Sequence, residues 1–151
     1  MAVEEHKQRP IAEMLRLPKS PGEKPHLVGY RCKKCGATYM GEGRVACSKC
    51  TSAGQIEETK LSDRGTLYVY SIVHQSVPGV PVPYVSAIVD LPEGVSVRCN
   101  LVDIEPNPAK IQFGMPVEMV TRKVREHKEK NAEGVEEIID IIAFFFRPSQ
   151  N

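Results

Sequence analysis

Four of the five cysteines stand in two CxxC pairs, Cys32-Lys33-Lys34-Cys35 and Cys47-Ser48-Lys49-Cys50, with eleven residues between them. Two residues between cysteines make a tight knuckle that aims both sulfurs at one point. Two knuckles complete a tetrahedral shell of four thiolates, the usual structural zinc site. Gly36 follows the first pair directly, where a residue without Cβ permits the unusual dihedrals a knuckle needs. Cys32, Cys35, Cys47 and Cys50 are therefore the expected metal ligands, with zinc as the ion. Iron, as in rubredoxin, fits the same ligand set, and disulfides or free thiols are the alternatives. A stretch of about thirty residues cannot bury enough surface to fold alone. Metal binding, on the order of 10 kcal/mol or more at such sites, supplies the missing free energy.

The other segments differ in composition. Residues 1–26 are polar and broken by Pro10, Pro18, Pro21 and Pro25, and Ile11, Met14 and Leu15 fall at i, i+3 and i+4. That spacing predicts a short amphipathic helix, which has to pack on the chain or on a partner because isolated helices this short are marginal. Residues 27–58 form the expected zinc ribbon, opened by a short strand at Leu27–Arg31. Residues 59–148 read as β-structure. Leu67–Val73 is apolar on both parities, as a strand covered on two sides would be. Val85, Ala87, Val89 and Leu91 alternate, as do Val95, Val97, Cys99 and Leu101 against Ser96, Arg98 and Asn100. A fourth strand is expected over Met115–Arg125, a charged loop over Glu126–Gly134 and a fifth strand over Glu137–Phe146. The fold class expected is mainly β: a short N-terminal helix, a rubredoxin-like zinc ribbon and a five-stranded barrel of the OB type. Barrel closure removes exposed edges, and a sandwich is the alternative. The connection Ile104–Phe113 holds Pro106 and Pro108 and supports a turn where an OB barrel commonly carries a helix.

The formal charge of +1 over 151 residues implies neither a general nucleic-acid binder nor an acidic-tail protein. No apolar run is long enough to span a bilayer, and Met1-Ala2-Val3-Glu4-Glu5 lacks the apolar core of a signal peptide. A cytoplasmic setting is expected, where paired CxxC motifs favour metal over disulfide. Cys99 lies in a strand-like run and reads as a buried, inert thiol.

The order of these elements carries a resemblance. Cys32-Lys33-Lys34-Cys35-Gly36, Cys47-Ser48-Lys49-Cys50, Arg64–Ser71, Pro83-Tyr84-Val85, Leu91-Pro92-Glu93-Gly94, Phe113–Val117 and Phe145-Phe146-Arg147-Pro148 together resemble the family first catalogued as domain of unknown function, number 35. Its members are small acyl-CoA-associated proteins commonly encoded with thiolase-like enzymes. The resemblance implies a non-catalytic subunit that docks on a thiolase or a hydroxymethylglutaryl-CoA-synthase-like enzyme and helps to form a site for CoA or acyl-CoA. Related modules serve hot-dog-fold dehydratases.

The residues themselves agree with a non-catalytic role. His6, His26, His74 and His127 share no motif, four cysteines are committed to metal, and no nucleophile-elbow, zinc-protease or phosphate-loop pattern is present. A metal with four thiolates keeps no open position for water. Between Arg31 and Cys50 the cations Arg31, Lys33, Lys34, Arg44 and Lys49 face one acid, Glu42, and outweigh the double negative charge of a four-thiolate zinc centre. They either offset that centre or meet CoA phosphates. In the second case Arg44 leads as a bidentate donor, followed by Lys33 and Lys34. The Phe144-Phe145-Phe146 run must send at least one ring inward, and an outward ring would suit a partner. The apolar loop Val77–Pro83 is a second candidate contact. Two other classes use the same parts. A single-stranded nucleic-acid binder would stack bases on Tyr68, Tyr70 and Tyr84, and an electron carrier would hold iron in the ribbon.

Overall fold

The computed structural model describes residues 6–149, so the Met1–Glu5 start lies outside the described residues. All regular structure within them is β. The strands are β1 (Lys7–Pro10), β2 (Leu15–Arg16), β3 (His26–Cys32), β4 (Thr38–Tyr39), β5 (Ile56–Lys60), β6 (Arg64–Val73), β7 (Tyr84–Asp90), β8 (Ser96–Leu101), β9 (Pro116–Lys130) and β10 (Glu136–Pro148). The described residues contain no helix long and apolar enough to cross a membrane.

The N-terminal helix is not formed, and the mainly-β expectation is corrected to all-strand. Pro10 and Pro18 leave seven residues between them, too few for a stable helix on its own. Two sheet edges offer backbone partners instead. Lys7–Pro10 runs parallel to Ile139–Ile142 of β10, and Leu15 and Arg16 pair with Leu27 and His26 of β3. Ile11 N–H donates to the Ile142 carbonyl at 2.8 Å and Val28 N–H to the Met14 carbonyl at 2.9 Å. The i, i+3, i+4 stripe is thus split. Leu15 is fully buried and Met14 packs on the core, whereas Ile11 remains 52% exposed.

β6, β7, β8, β10 and β9 close into a five-stranded barrel. β6 pairs antiparallel with β7, β7 with β8, β10 with β9 and β9 with β6. β10 meets β8 in parallel at Phe146 and Leu101. The alternation expected of β7 and β8 is met residue for residue: Val85, Ala87, Val89, Leu91, Val95, Val97, Cys99 and Leu101 are all buried. β6 departs from expectation because it is not covered on two faces. A bulge at Tyr68 shifts the register between Leu67 and Val69, so Leu67 points inward before it and Tyr70 and Ile72 pack on the core after it. The apolar run on both parities reflects this parity switch, and Tyr68 is left 59% exposed. The charged segment Glu126–Lys130 is strand, not loop, and the turn is confined to Asn131–Val135, with Asn131 Oδ1 accepting the amides of Glu133 and Val135. Connection Ile104–Phe113 forms turns only.

One apolar cluster unites the parts. Leu15, Leu27 and Leu61 belong with Leu67, Val89, Val117 and Phe146 to the same buried core. Of the three adjacent phenylalanines Phe146 is fully buried, Phe144 packs on the core and Phe145 lies half-buried on the other face. Glu93 Oε1 accepts the Ser62 amide at 2.5 Å where the ribbon passes into the barrel. At the start of β6 the backbones come close. A Cβ on Gly65 would lie 2.5 Å from the Asp90 carbonyl oxygen and 2.7 Å from Val89 Cγ1. Gly65→Ala is therefore expected to cost about 2 kcal/mol through overpacking, while Thr66→Ala beside it, on the exposed face, shifts stability by no more than about 0.5 kcal/mol. Urea unfolding of both variants measures the difference, and equal midpoints would contradict this packing.

Candidate metal centre

The two CxxC pairs fold into the same local structure twice. Cys32 N–H donates to the Ala37 carbonyl at 2.9 Å and Cys47 N–H to the Ser52 carbonyl at 3.0 Å. Gly36 N–H returns to the Cys32 carbonyl, and Thr51 N–H to the Cys47 carbonyl, both at 2.9 Å. Each knuckle turns back through a left-handed residue, Gly36 at φ 80° and Thr51 at φ 64°. Gly36 meets this demand freely, whereas Thr51 carries a β-branched side chain there. The first cysteine of each pair is turned toward two amides of its own knuckle: Cys35 and Lys34 for Cys32, Cys50 and Lys49 for Cys47. Such donors stabilise sulfur as thiolate.

The four sulfurs converge within 4.8 Å of one another. Across the pairs, Cys32 Sγ lies 3.7 Å from Cys50 Sγ, and Cys35 Sγ lies 3.5 Å from Cys47 Sγ. A tetrahedral ion with bonds near 2.3 Å has sulfur–sulfur edges of about 3.8 Å. The donor set thus fits a thiophilic metal in number, chemistry and spacing. Cys32 and Cys47 are buried, Cys50 is half-buried and Cys35 is exposed.

Side chains outside the ligand set complete the centre. The Tyr39 hydroxyl lies 3.2 Å from Cys47 Sγ, and Ser48 Oγ donates to the Tyr39 oxygen at 3.0 Å. Ser52 Oγ lies 2.9 Å from Cys50 Sγ and 3.6 Å from Cys32 Sγ. Tyr39, first, and then the Cys50 and Lys49 amides hold the Cys47 thiol down at about 6. The Ala37 amide favours a thiolate at Cys35, but desolvation and the three crowding sulfurs outweigh it and push that thiol up to about 11. Tyr39 and Ser52 lie outside both CxxC pairs, and no ligand motif marks them in the sequence. Ser48 lay in view inside the second knuckle.

The remaining candidates are dispersed. Lys33 and Lys34 are exposed on the first knuckle, and Arg44 is exposed between the knuckles with its guanidinium 4.0 Å above the centre of the Tyr39 ring. Arg9, Arg16, Arg64, Arg122 and Arg147 each pair with a carboxylate, and among the described residues Arg44 does not. Cys99 is buried in the barrel, where desolvation pushes its thiol up to about 12. The histidines do not meet in one site. His6, Glu126 and Asp140 do form a second group with metal-type side chains. The Lys123 ammonium already lies 3.2 Å from Asp140 and 2.5 Å from Glu126, so that group reads as an ion-pair network tying β1 to the hairpin. A cleft of about 410 Å³ follows β9 beside Lys24 and Asp63, and its arginines, Arg122 and Arg147, are taken up by Asp103 and Glu118.

Known proteins share both the sequence and the fold. The family model described as the C-terminal OB-fold domain of ChsH2 matches residues 58–122. The chain is 40% identical over 102 residues to a DUF35 domain-containing scaffold protein of Methanocaldococcus jannaschii, covering 66% of this chain and 70% of that one. It is 36% identical over 121 residues to a DUF35 domain-containing scaffold protein of Methanothermobacter thermautotrophicus, covering 79% and 89%. It is 38% identical over 112 residues to the benzoylsuccinyl-CoA thiolase subunit BbsA of Geobacter metallireducens, covering 67% and 74%. Among solved structures, a chain of the Ltp2-ChsH2(DUF35) aldolase superposes with a TM-score of 0.55 at 29% identity, over 82% of this chain and 84% of that one. With two such scaffold proteins matched over most of their length, the chain belongs to the DUF35 family.

Proposed function

We propose that this protein is a zinc-stapled, non-catalytic subunit of an acyl-CoA-processing complex, built on a thiolase-like catalytic partner. The observation that carries this reading is the match to a protein named as a subunit of a CoA thiolase, together with a four-sulfur centre that is structural in character. The Ltp2-ChsH2(DUF35) aldolase supports the same class of assembly, since the matched chain there belongs to a two-component enzyme name. In this reading residues 27–58 act as the ribbon, residues 59–148 as the barrel, and the chemistry resides in the partner. The reducing cytoplasm suits it, because four free thiols then remain available to metal.

Zinc held by Cys32, Cys35, Cys47 and Cys50 supplies a cross-link between the knuckles and no open coordination position. The chain's own residues do the rest. The knuckle amides and the Tyr39 hydroxyl favour thiolates, and the core residues Leu27 and Leu61 bind the ribbon to the barrel. Purified protein is expected to be colourless with one zinc per chain. Cys35→Ser is expected to lose the metal, unfold the ribbon and weaken assembly with the partner, as measured by elemental analysis, circular dichroism and co-purification. A variant that stays folded, zinc-free and complex-forming would contradict the staple, and a red, iron-loaded protein would favour electron transfer.

Arg44 remains the lead contact for CoA phosphates, with Lys33 and Lys34 beside it. Stacking on Tyr39 restrains the guanidinium while leaving its edge available, and among the described residues it pairs with no carboxylate. Arg44→Ala is expected to weaken CoA binding to the assembled complex by about tenfold or more, the worth of a hydrogen bond to a charged group. Isothermal titration checks this, and unchanged affinity would remove Arg44 from the site. The nucleic-acid reading finds little support on the outer face of β7 and β8. That face presents Ser86, Ile88, Asp90, Ser96 and Asn100, with Tyr84 at one end and Arg98 as its one cation.

A further inference from the structure

Arg44 has a second task, which emerges from what its guanidinium covers. The ring beneath it belongs to Tyr39, on β4, and Tyr39 is the one aromatic whose polar atom reaches the sulfur cluster among the described residues. The direction of the hydrogen bonds follows from chemistry. A metal-binding sulfur is a thiolate and can only accept, so the phenol must donate to Cys47 Sγ across 3.2 Å. Ser48 Oγ donates to the phenol oxygen at 3.0 Å, which leaves the phenol hydrogen free for sulfur and polarises it. The guanidinium lies over the ring face, 4.0 Å from its centre, and limits its motion. Ser52 Oγ supplies the counterpart on the other side of the cluster, 2.9 Å from Cys50 Sγ.

We propose that Tyr39 is a positioning residue for the metal centre: its hydroxyl, oriented by Ser48 and by Arg44 stacked above it, donates to the Cys47 thiolate and sets how tightly the ribbon retains its metal. The inference rests on the four-thiolate zinc reading. It goes beyond that reading by giving Tyr39 and Ser48 a function and by coupling the metal's outer hydrogen bonds to Arg44, the side chain placed to meet an anion. Outer partners of this kind typically change metal affinity by 10–100-fold. An anion that draws Arg44 off the ring would loosen Tyr39 and, through it, the metal.

The test uses the full chain, loaded with zinc for exchange and with cobalt(II) for spectroscopy. Tyr39→Phe keeps the ring and the stack and removes only the hydroxyl. Zinc release to a chelator is expected to accelerate by about tenfold, the lower end of the effect of losing an outer hydrogen bond. The cobalt–thiolate charge-transfer band should move to lower energy, because a sulfur that has lost a donor gives up its electrons more readily. Circular dichroism should stay unchanged. Ser48→Ala should shift both readouts the same way by less. Arg44→Ala should speed release in the parent protein and add nothing in the Tyr39→Phe background, since it acts through the hydroxyl. Unchanged release and an unmoved band in Tyr39→Phe would overturn the proposal while leaving the zinc centre standing. Failure of the parent protein to bind either metal would overturn both readings.

Discussion

Barrel closure depends on β10, the strand with three neighbours. It runs antiparallel to β9 for its whole length, meets β8 in parallel at Phe146 and Leu101, and carries β1 along Ile139–Ile142. Phe146 is fully buried where the ring of strands closes, and Val102 N–H reaches the Phe146 carbonyl at 2.8 Å just beyond. An open sheet of these strands would expose two unpaired edges. Closure removes them from the barrel, and the free side of β10 in the outer hairpin is taken by β1. The same strand therefore decides where the N-terminal segment goes. Once β1 is fixed, Leu15 is brought to β3 and buried beside Leu27, which binds the cysteine ribbon to the barrel through one continuous core.

The ribbon works by a different physics. Its strands are short, and the sulfurs are crowded at distances that a shared cation would stabilise. The repeated knuckle bonds, from Cys32 to Ala37 and from Cys47 to Ser52, shape each half without a core. Polar side chains then finish what apolar burial does elsewhere: Tyr39 and Ser52 address the sulfurs, and Arg44 covers Tyr39. Lys33, Lys34 and Arg44 are left exposed around the sulfur cluster.

The barrel was legible where alternation is a local property. Val85 to Leu101 showed its inward face directly, because a strand with one buried side must repeat every second residue. β6 reads as doubly covered because a bulge inserts one residue and reverses the parity, and no composition marks that residue. The charged stretch Glu126–Lys130 reads as loop, but cross-strand partners in β10 hold it as strand. The N-terminal stripe had helical spacing by coincidence of three apolar residues, and tertiary pairing overrode it.

The pairing of four cysteines in two CxxC knuckles, the turn at Gly36, the inward faces of β7 and β8 and the family resemblance were all legible in the chain. Each of these is encoded by neighbours in the chain. Three-dimensional packing alone makes the N-terminal segment a strand, turns Tyr39 and Ser52 toward the sulfurs and lays Arg44 over Tyr39. Those relations join β4 to the second knuckle and β1 to β10, residues whose separation along the chain carries no local pattern. They exist because the fold brings together backbone edges and side chains that need partners.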